Sequence, residues 1–301
     1  MAGKIISDPT IVELESFSEQ NLNVWSEAAR DLDELVNLIH YGTQPSRLRY
    51  WPELIEAAQI VDSCRIELSD WFRVVTLKYC NDPLSPKGSL IQAGRFNLGT
   101  NLDCTSHSAW PALYIGEDYD TAFREKYQIG RDDNINGLTA EDLSLSKIGS
   151  HASFKIKGEL YNIFDMTNKK NLDPLAKALG KVKLPSTVNA LKARIDRFKK
   201  QKYQPMMMIK TSNQLYDSIF SVNWRNLPVS FDVPSHSQIV AEIIKCAGYE
   251  GILYNSTKGT KRCIAIFPEK ITPTSYIELS DECPESIINK RMDSSNISIY
   301  V

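Results

Sequence analysis

The chain has 301 residues, 42% of them hydrophobic, which is enough to build a sizeable core. Lys and Arg number 35 against 37 Asp and Glu, so a net charge of −2 gives no overall attraction to nucleic acid or to an anionic membrane. The six cysteines contain no CxxC pair and the four histidines no metal-ligand spacing, which argues against the common zinc sites and predicts metal-free chemistry.

The first residues, MAGKIISDPT, lack the apolar segment of a signal peptide. No later run approaches the roughly 18 apolar residues that a bilayer crossing needs. We therefore expect a soluble, cytoplasmic protein that makes no membrane contact.

The first 70 residues have a helical pattern. Apolar residues recur at helical spacing in residues 23–41, NVWSEAARDLDELVNLIHY, and again in ELIEAAQIVDSC. These stretches predict an N-terminal helical region over residues 1–70.

From Trp71 the pattern favours β-structure. WFRVVTLKYC is a candidate strand, and a loop with two prolines and two glycines follows it and ends in GRFN. ALYIG predicts a short strand ending at Gly116, after which Asp118 or Asp120 caps a helix that runs to about Gly130. SFKIKGELYNIFDMT predicts two alternating runs that are broken at Gly158.

The segment around residues 181–210 is strongly basic and has few aromatic residues between its charges. A solvated helix face therefore fits it better than a nucleic-acid groove, and we expect no direct nucleic-acid binding. Farther along, Ser235 and Gln238 fit a capping box, and GILYN, STKGTK and RCIAIF predict a β-hairpin. The order of elements indicates an α+β fold with a mixed sheet.

Five polar residues are candidates for a site, although each has an ordinary structural explanation. Helical geometry places Glu125 beside Thr121 at the far border of the apolar face, where a solvated carboxylate is expected. The other four residues also have local explanations. Arg73 is explained as a strand arginine, Arg95 as a loop arginine, Tyr114 as a core aromatic and Ser256 as a turn residue.

Together, however, these residues lie in sequence blocks that occur in the order typical of the RES family. The blocks are FRV, GRFN, ALYIGEDYDTAFRE and GYEGILYNS, and Glu125 follows Tyr114 by 11 positions (125 − 114). The chain resembles this family over roughly residues 71–130 and 151–271. One difference is Phe96, which stands where many members have Trp and would keep an aromatic wall.

The resemblance implies a toxin of a toxin–antitoxin pair that degrades NAD⁺ by cleaving the nicotinamide–ribose bond. It implies a catalytic domain over residues 71–301 with a basic insertion around 181–210, and a largely antiparallel sheet resembling the ADP-ribosyltransferase fold behind an N-terminal helical extension. The implied catalytic residues are Glu125, Arg73 and Ser256, and Arg95 and Tyr114 would bind substrate. NAD⁺ would be the substrate, with no further cofactor, and the partner would be an antitoxin with a helix-turn-helix domain.

Three hypotheses stay open. The first is an enzyme that degrades NAD⁺, in which the acceptor of the ADP-ribose is water (a glycohydrolase) or phosphate (a phosphorylase). The second is a mono-ADP-ribosyltransferase, in which the acceptor is a side chain of a cellular protein. A third hypothesis, of a different class, is a non-catalytic binding module that uses the basic segment.

Overall fold

The computed structural model describes residues 19–102, 108–130, 150–188, 190–191, 193, 209–280, 283–287 and 289–300. The chain divides into two compact units, one of residues 1–48 with 182–208 and the other of residues 49–181 with 209–301. This division does not test the expected domain boundary at residue 70, which stays a prediction. Most of the basic insertion expected at 181–210 lies outside the described residues.

The first unit is organised by one long helix, α1, which spans Glu19–Arg49 and is longer at both ends than the predicted 23–41. Leu35 on this helix packs against Val188 and Leu191. Farther along α1, a Cβ on Gly42 would come within 2.5 Å of Pro185 Cγ. Any larger residue at position 42 would therefore push the two segments apart.

The second unit contains a sheet and several helices. Its helices are α2 (Trp51–Gln59), α3 (Gly88–Ile91), α4 (Tyr119–Tyr127), α5 (Asp173–Leu179), α6 (Ser212–Ile219), α7 (Asn226–Ser230) and α8 (His236–Cys246). Its strands are β1 (Cys64–Thr76), β2 (Leu113–Gly116), β3 (His151–Asp165), β4 (Gly251–Asn255), β5 (Arg262–Ile266), β6 (Tyr276–Leu279) and β7 (Arg291–Asp293).

The strands follow the order β1-β2-β5-β4-β3-β6-β7, and β1 also pairs with β3. The first five therefore close into a ring, to which β6 and β7 are attached. Only the β3–β4 pairing is parallel among the strand pairs of the described residues. The predicted α+β class, the largely antiparallel sheet and the helices before it are confirmed, whereas the ring was not expected. The likeness to the ADP-ribosyltransferase fold stays a prediction.

Strand alternation divides the apolar residues of the ring between two cores. Leu113 and Ile115 of β2 pack into one core together with Ile264 of β5. Tyr114 and Cys263, their chain neighbours, face the other core, which lies against helices α5, α6 and α8. The second face is the one that carries the candidate site.

Gly158 does not break the alternating run, which was the expectation from sequence. Strand β3 continues through it as one element of 15 residues, with φ of +150° at Gly158. A Cβ there would clash with the backbone of Tyr276 on β6. The glycine therefore allows β6 to approach β3 closely. The strand predicted from Trp71 is also longer, since β1 begins at Cys64.

Candidate active site

Helix α4 carries Glu125 and is held tightly to the end of β2. Asp118 is its N-cap, as predicted, and accepts a hydrogen bond of 2.7 Å from the Thr121 amide. A Cβ on Gly116 would lie 2.7 Å from the Ala122 nitrogen, so only glycine allows this approach of strand to helix. The position of Glu125 is thereby fixed relative to the sheet.

The Glu125 carboxylate is anchored through one oxygen. Ser256 Oγ donates a hydrogen bond of 2.6 Å to Glu125 Oε1, and the Thr257 amide donates another of 3.2 Å. The second oxygen, Oε2, receives no hydrogen bond from the described part of the chain. Glu125 is half-buried rather than fully solvated. The carboxylate is thus oriented, with one oxygen left to meet a ligand.

The turn between β4 and β5 brings Ser256 to Glu125. The Ser256 hydroxyl accepts hydrogen bonds from the amides of Lys258 at 3.0 Å and Gly259 at 2.7 Å, which tightens the turn. Gly259 sits directly on α4, because a Cβ there would lie 2.7 Å from the Cα of Thr121. Thr121, expected at a solvated border, is fully buried beneath this turn.

Arg95 of the GRFN loop is buried and held in place by backbone carbonyls. One guanidinium nitrogen, Nη1, donates hydrogen bonds of 2.6 Å to the Ile219 carbonyl and 3.1 Å to the Ser221 carbonyl. Burial lowers the pKa of Arg95, while Tyr254 and Glu125 act in the opposite direction. The arginine stays cationic at neutral pH, because the ordinary arginine pKa lies above 12.

Tyr114 is held by the same loop. Its hydroxyl donates a 2.9 Å hydrogen bond to Asn97 Oδ1 and accepts one of 3.0 Å from the Phe96 amide. Burial raises the pKa of Tyr114, so the phenol is neutral and serves as a positioned aromatic group. Phe96, expected as an aromatic wall, is fully buried and packs edge-on against Tyr254 at 4.8 Å.

Asn97 and Gln238 shape this loop, and their part in the site was missed from sequence. Asn97 Oδ1 also accepts a hydrogen bond of 2.8 Å from the Gly94 amide. Gln238 Nε2 donates to the carbonyls of Gly94 at 3.1 Å and Asn97 at 3.0 Å. The predicted capping box of Ser235 and Gln238 is confirmed. The capping box indicates only where a helix begins. It could not indicate that Gln238 contacts Asn97, because the two residues are 141 positions apart.

Arg73 stands apart from the other four predicted residues. Its neighbours in β1, Phe72 and Val74, pack beside α4 on one face of the strand. Strand alternation places Arg73 on the other face, together with the core residues Trp71 and Val75. Its guanidinium donates hydrogen bonds to carbonyls, at 2.7 Å to Ser85 and at 3.5 Å to Tyr114. Burial lowers the pKa of Arg73 to about 10. Its link to the site runs through the backbone of β2.

Cys263 lies beside Ser256 and Tyr254 at the site but is not a candidate nucleophile. Burial raises the pKa of its thiol, and the nearby Glu125 carboxylate raises it further. Only a thiolate attacks electrophiles efficiently. The site therefore combines an oriented carboxylate, a held arginine and a positioned tyrosine.

Residues 70–281 match the RES domain. The chain belongs to the RES-domain family. The matched range covers every strand from β2 to β6 and all five predicted site residues. No three histidine, cysteine or acidic side chains are grouped for metal binding in the described part of this RES protein. None of its helices, within the described ranges, is long and apolar enough to cross a membrane.

Among solved structures, this RES-domain chain is similar to one in the crystal structure of the M. tuberculosis MbcT–MbcA toxin–antitoxin complex. The TM-score is 0.43 and the sequence identity 14%, over 82% of this chain and 94% of the other. No curated protein gives a significant match. The assignment to the family therefore rests on the domain match.

Proposed function

We propose that this RES-domain protein is a toxin that consumes NAD⁺ by cleaving the bond between nicotinamide and ribose. The observation that carries the proposal is the Glu125 carboxylate, whose Oε1 is fixed by Ser256 and Thr257 while Oε2 receives no hydrogen bond from the described residues. The positioned Tyr114 ring and the cationic Arg95 supply the other groups that a dinucleotide needs. Membership of the RES-domain family supports the same reaction class.

The chemistry needs a negative charge near the ribose. Nicotinamide leaves as a neutral molecule with the electrons of the broken bond, so no strong acid is required and positive charge develops on the ribose. Glu125 would stabilise that charge, and a preorganised group of this kind contributes about 3 kcal/mol. With water as acceptor, the products are ADP-ribose, nicotinamide and a proton.

The remaining side chains have distinct roles in this proposal. Ser256 orients Glu125, Tyr114 packs against the nicotinamide, and Arg95 binds a phosphate oxygen. Arg73, proposed from sequence as a catalytic residue, has contacts that better support a positioning role, because it binds the carbonyl of Tyr114.

The proposal also includes a partner and a location. We propose that a cognate antitoxin with a helix-turn-helix domain neutralises the protein in the cytoplasm. Growth arrest on expression of the full chain, relieved by co-expression of the antitoxin, is the expected result.

The decisive experiment measures nicotinamide release from NAD⁺ by the purified full chain, in buffers with and without phosphate. We expect release by the wild type and a loss of about 10²- to 10³-fold in kcat for Glu125→Gln. Glu269→Gln, which removes an exposed partner of Lys245, is the matched control and should remain active.

Three readouts separate the acceptors. Release without phosphate indicates water, release only with phosphate indicates a phosphorylase, and label transferred from NAD⁺ to protein in a lysate indicates a transferase. A wild-type protein that produces none of these refutes the proposal. Equal activity of wild type and Glu125→Gln refutes the role of the carboxylate.

A further inference from the structure

Trp224, between α6 and α7, brings two arginines to one aromatic ring. The indole is buried, with 6% of its surface exposed. The guanidinium carbon of Arg95 lies 5.4 Å from the ring centroid, and that of Arg225 lies 5.0 Å from it. Both distances are within the range of cation–π attraction. One ring therefore fixes a loop arginine and the N-cap residue of α7 in the same neighbourhood.

Neither cation forms an ion pair in the described part of the chain, although the Glu125 carboxylate favours the charged form of both. Arg95 directs Nη1 to two backbone carbonyls and forms no ion pair there. Arg225 donates no hydrogen bond to any described residue, although it is half-buried. Placing two partly desolvated positive charges together is unfavourable unless an anion joins them. A group with two negative charges would neutralise the pair.

Charged and polar groups of the candidate active site act on Arg225. Burial lowers the pKa of its guanidinium, and Tyr114 and the Glu125 carboxylate counteract that change. Arg225 in turn acts on Arg95, whose pKa it helps to lower. The electrostatic neighbours of Arg225 are therefore the residues to which the proposed reaction is assigned, and both arginines remain cationic at neutral pH.

We propose that Arg95 and Arg225 form a clamp for the diphosphate of a nucleotide, with Trp224 as the rigid spacer between the two guanidinium groups. A guanidinium is planar and can donate two parallel hydrogen bonds to phosphate oxygens. The two positive charges match the two negative charges of a diphosphate diester. That the diphosphate belongs to NAD⁺ rests on the proposed function, whereas the clamp itself does not.

The test uses the full chain and measures binding of ADP and AMP by calorimetry; neither nucleotide has the nicotinamide–ribose bond, so no turnover occurs. Adding Arg225→Gln should weaken ADP binding roughly 10- to 100-fold, the loss expected for hydrogen bonds to a charged group. AMP binding should weaken less, because one phosphate can stay on Arg95. Arg225→Lys should cause a smaller loss, since the ammonium keeps the charge without the fork.

The matched control is Arg65→Gln, which removes an arginine that also stacks on an aromatic ring, that of Tyr161 at 4.9 Å. It should leave ADP binding unchanged. If Arg225→Gln lowers the Tm more than the control, Arg225→Lys becomes the deciding variant. The clamp is overturned if Arg225 variants bind ADP as the control does, if ADP and AMP lose affinity equally, or if the parent protein binds no ADP.

The two proposals fail separately. Absence of nicotinamide release combined with Arg225-dependent ADP binding would refute the NAD⁺ reaction and leave the clamp standing. Nicotinamide release with an unchanged KM for NAD⁺ in Arg225→Gln would refute the clamp and leave the reaction standing. If both hold, KM should rise in Arg225→Gln more than kcat falls, because the diphosphate is bound equally in ground state and transition state.

Discussion

Replacing Ser256 with alanine tests whether the serine contributes to catalysis or only to the turn. Ser256 is buried, with 4% of its surface exposed. Its hydroxyl donates a hydrogen bond to Glu125 and accepts hydrogen bonds from the amides of Lys258 and Gly259. Ser256→Ala removes these hydrogen bonds but leaves the Thr257 amide on the same carboxylate oxygen of Glu125. Glu125 then has one anchor instead of two.

The expected magnitudes follow from these contacts. A hydrogen bond to a charged group contributes about 1.5–3 kcal/mol, so turnover should fall roughly 10- to 100-fold if the orientation of Glu125 limits the reaction. Leaving the two turn amides without their acceptor should lower the free energy of unfolding by about 1–3 kcal/mol. Stability and activity should therefore both decline.

Ser275 provides the control that separates the two effects. Its buried hydroxyl donates a 2.8 Å hydrogen bond to the carboxylate of Glu250, which makes a second Ser–Glu pair, and accepts one of 3.0 Å from the Tyr161 amide. Ser275→Ala should lose comparable stability in urea unfolding but keep its kcat for nicotinamide release at a temperature where it is folded. If Ser256→Ala keeps its kcat as well, the serine is structural and the reasoning is refuted.

Two further predictions concern the surroundings of the site. Gly259→Ala should lower the free energy of unfolding by about 1–3 kcal/mol and reduce activity, because the new methyl group would clash with Thr121. Gly88→Ala is the control, since a Cβ there would meet nothing within 4 Å. Equal Tm values for the two variants would contradict the prediction. Glu117 pairs with Arg262 at 2.6 Å, and this pairing lowers the pKa of Glu117. Its stabilisation should be complete above the unfolded carboxyl pKa of about 4.3 and be lost as the pH falls through the lower folded pKa. Because 43% of the arginine side chain is exposed, Glu117→Gln should cost about 1 kcal/mol or less at pH 7. The cost should shrink as the pH falls below the unfolded carboxyl pKa, as measured by urea unfolding over a series of pH values; a constant difference would contradict it.

Elements whose signals lie within a few residues could be predicted from the sequence. Asp118 caps α4 and the Ser235 capping box starts α8, because a side chain and an amide three positions away form each cap. The hairpin of β4 and β5 was also predicted, since its turn residues separate two apolar runs. Gly158 was misread as a break, because its purpose depends on the approach of β6 from far along the chain.

By itself, the sequence determined the main helices and strands and the order of the blocks that mark the RES family. Only the tertiary structure decided which residues meet. Ser256 and Glu125 are 131 positions apart, and their contact depends on Gly259 packing against α4. The same holds for Arg73, which strand alternation places on the face opposite Tyr114. Periodicity describes one element at a time, whereas a site forms where several elements pack. Glu125 is held, and not simply solvated, because the turn between β4 and β5 packs on Thr121 and brings Ser256 to the carboxylate.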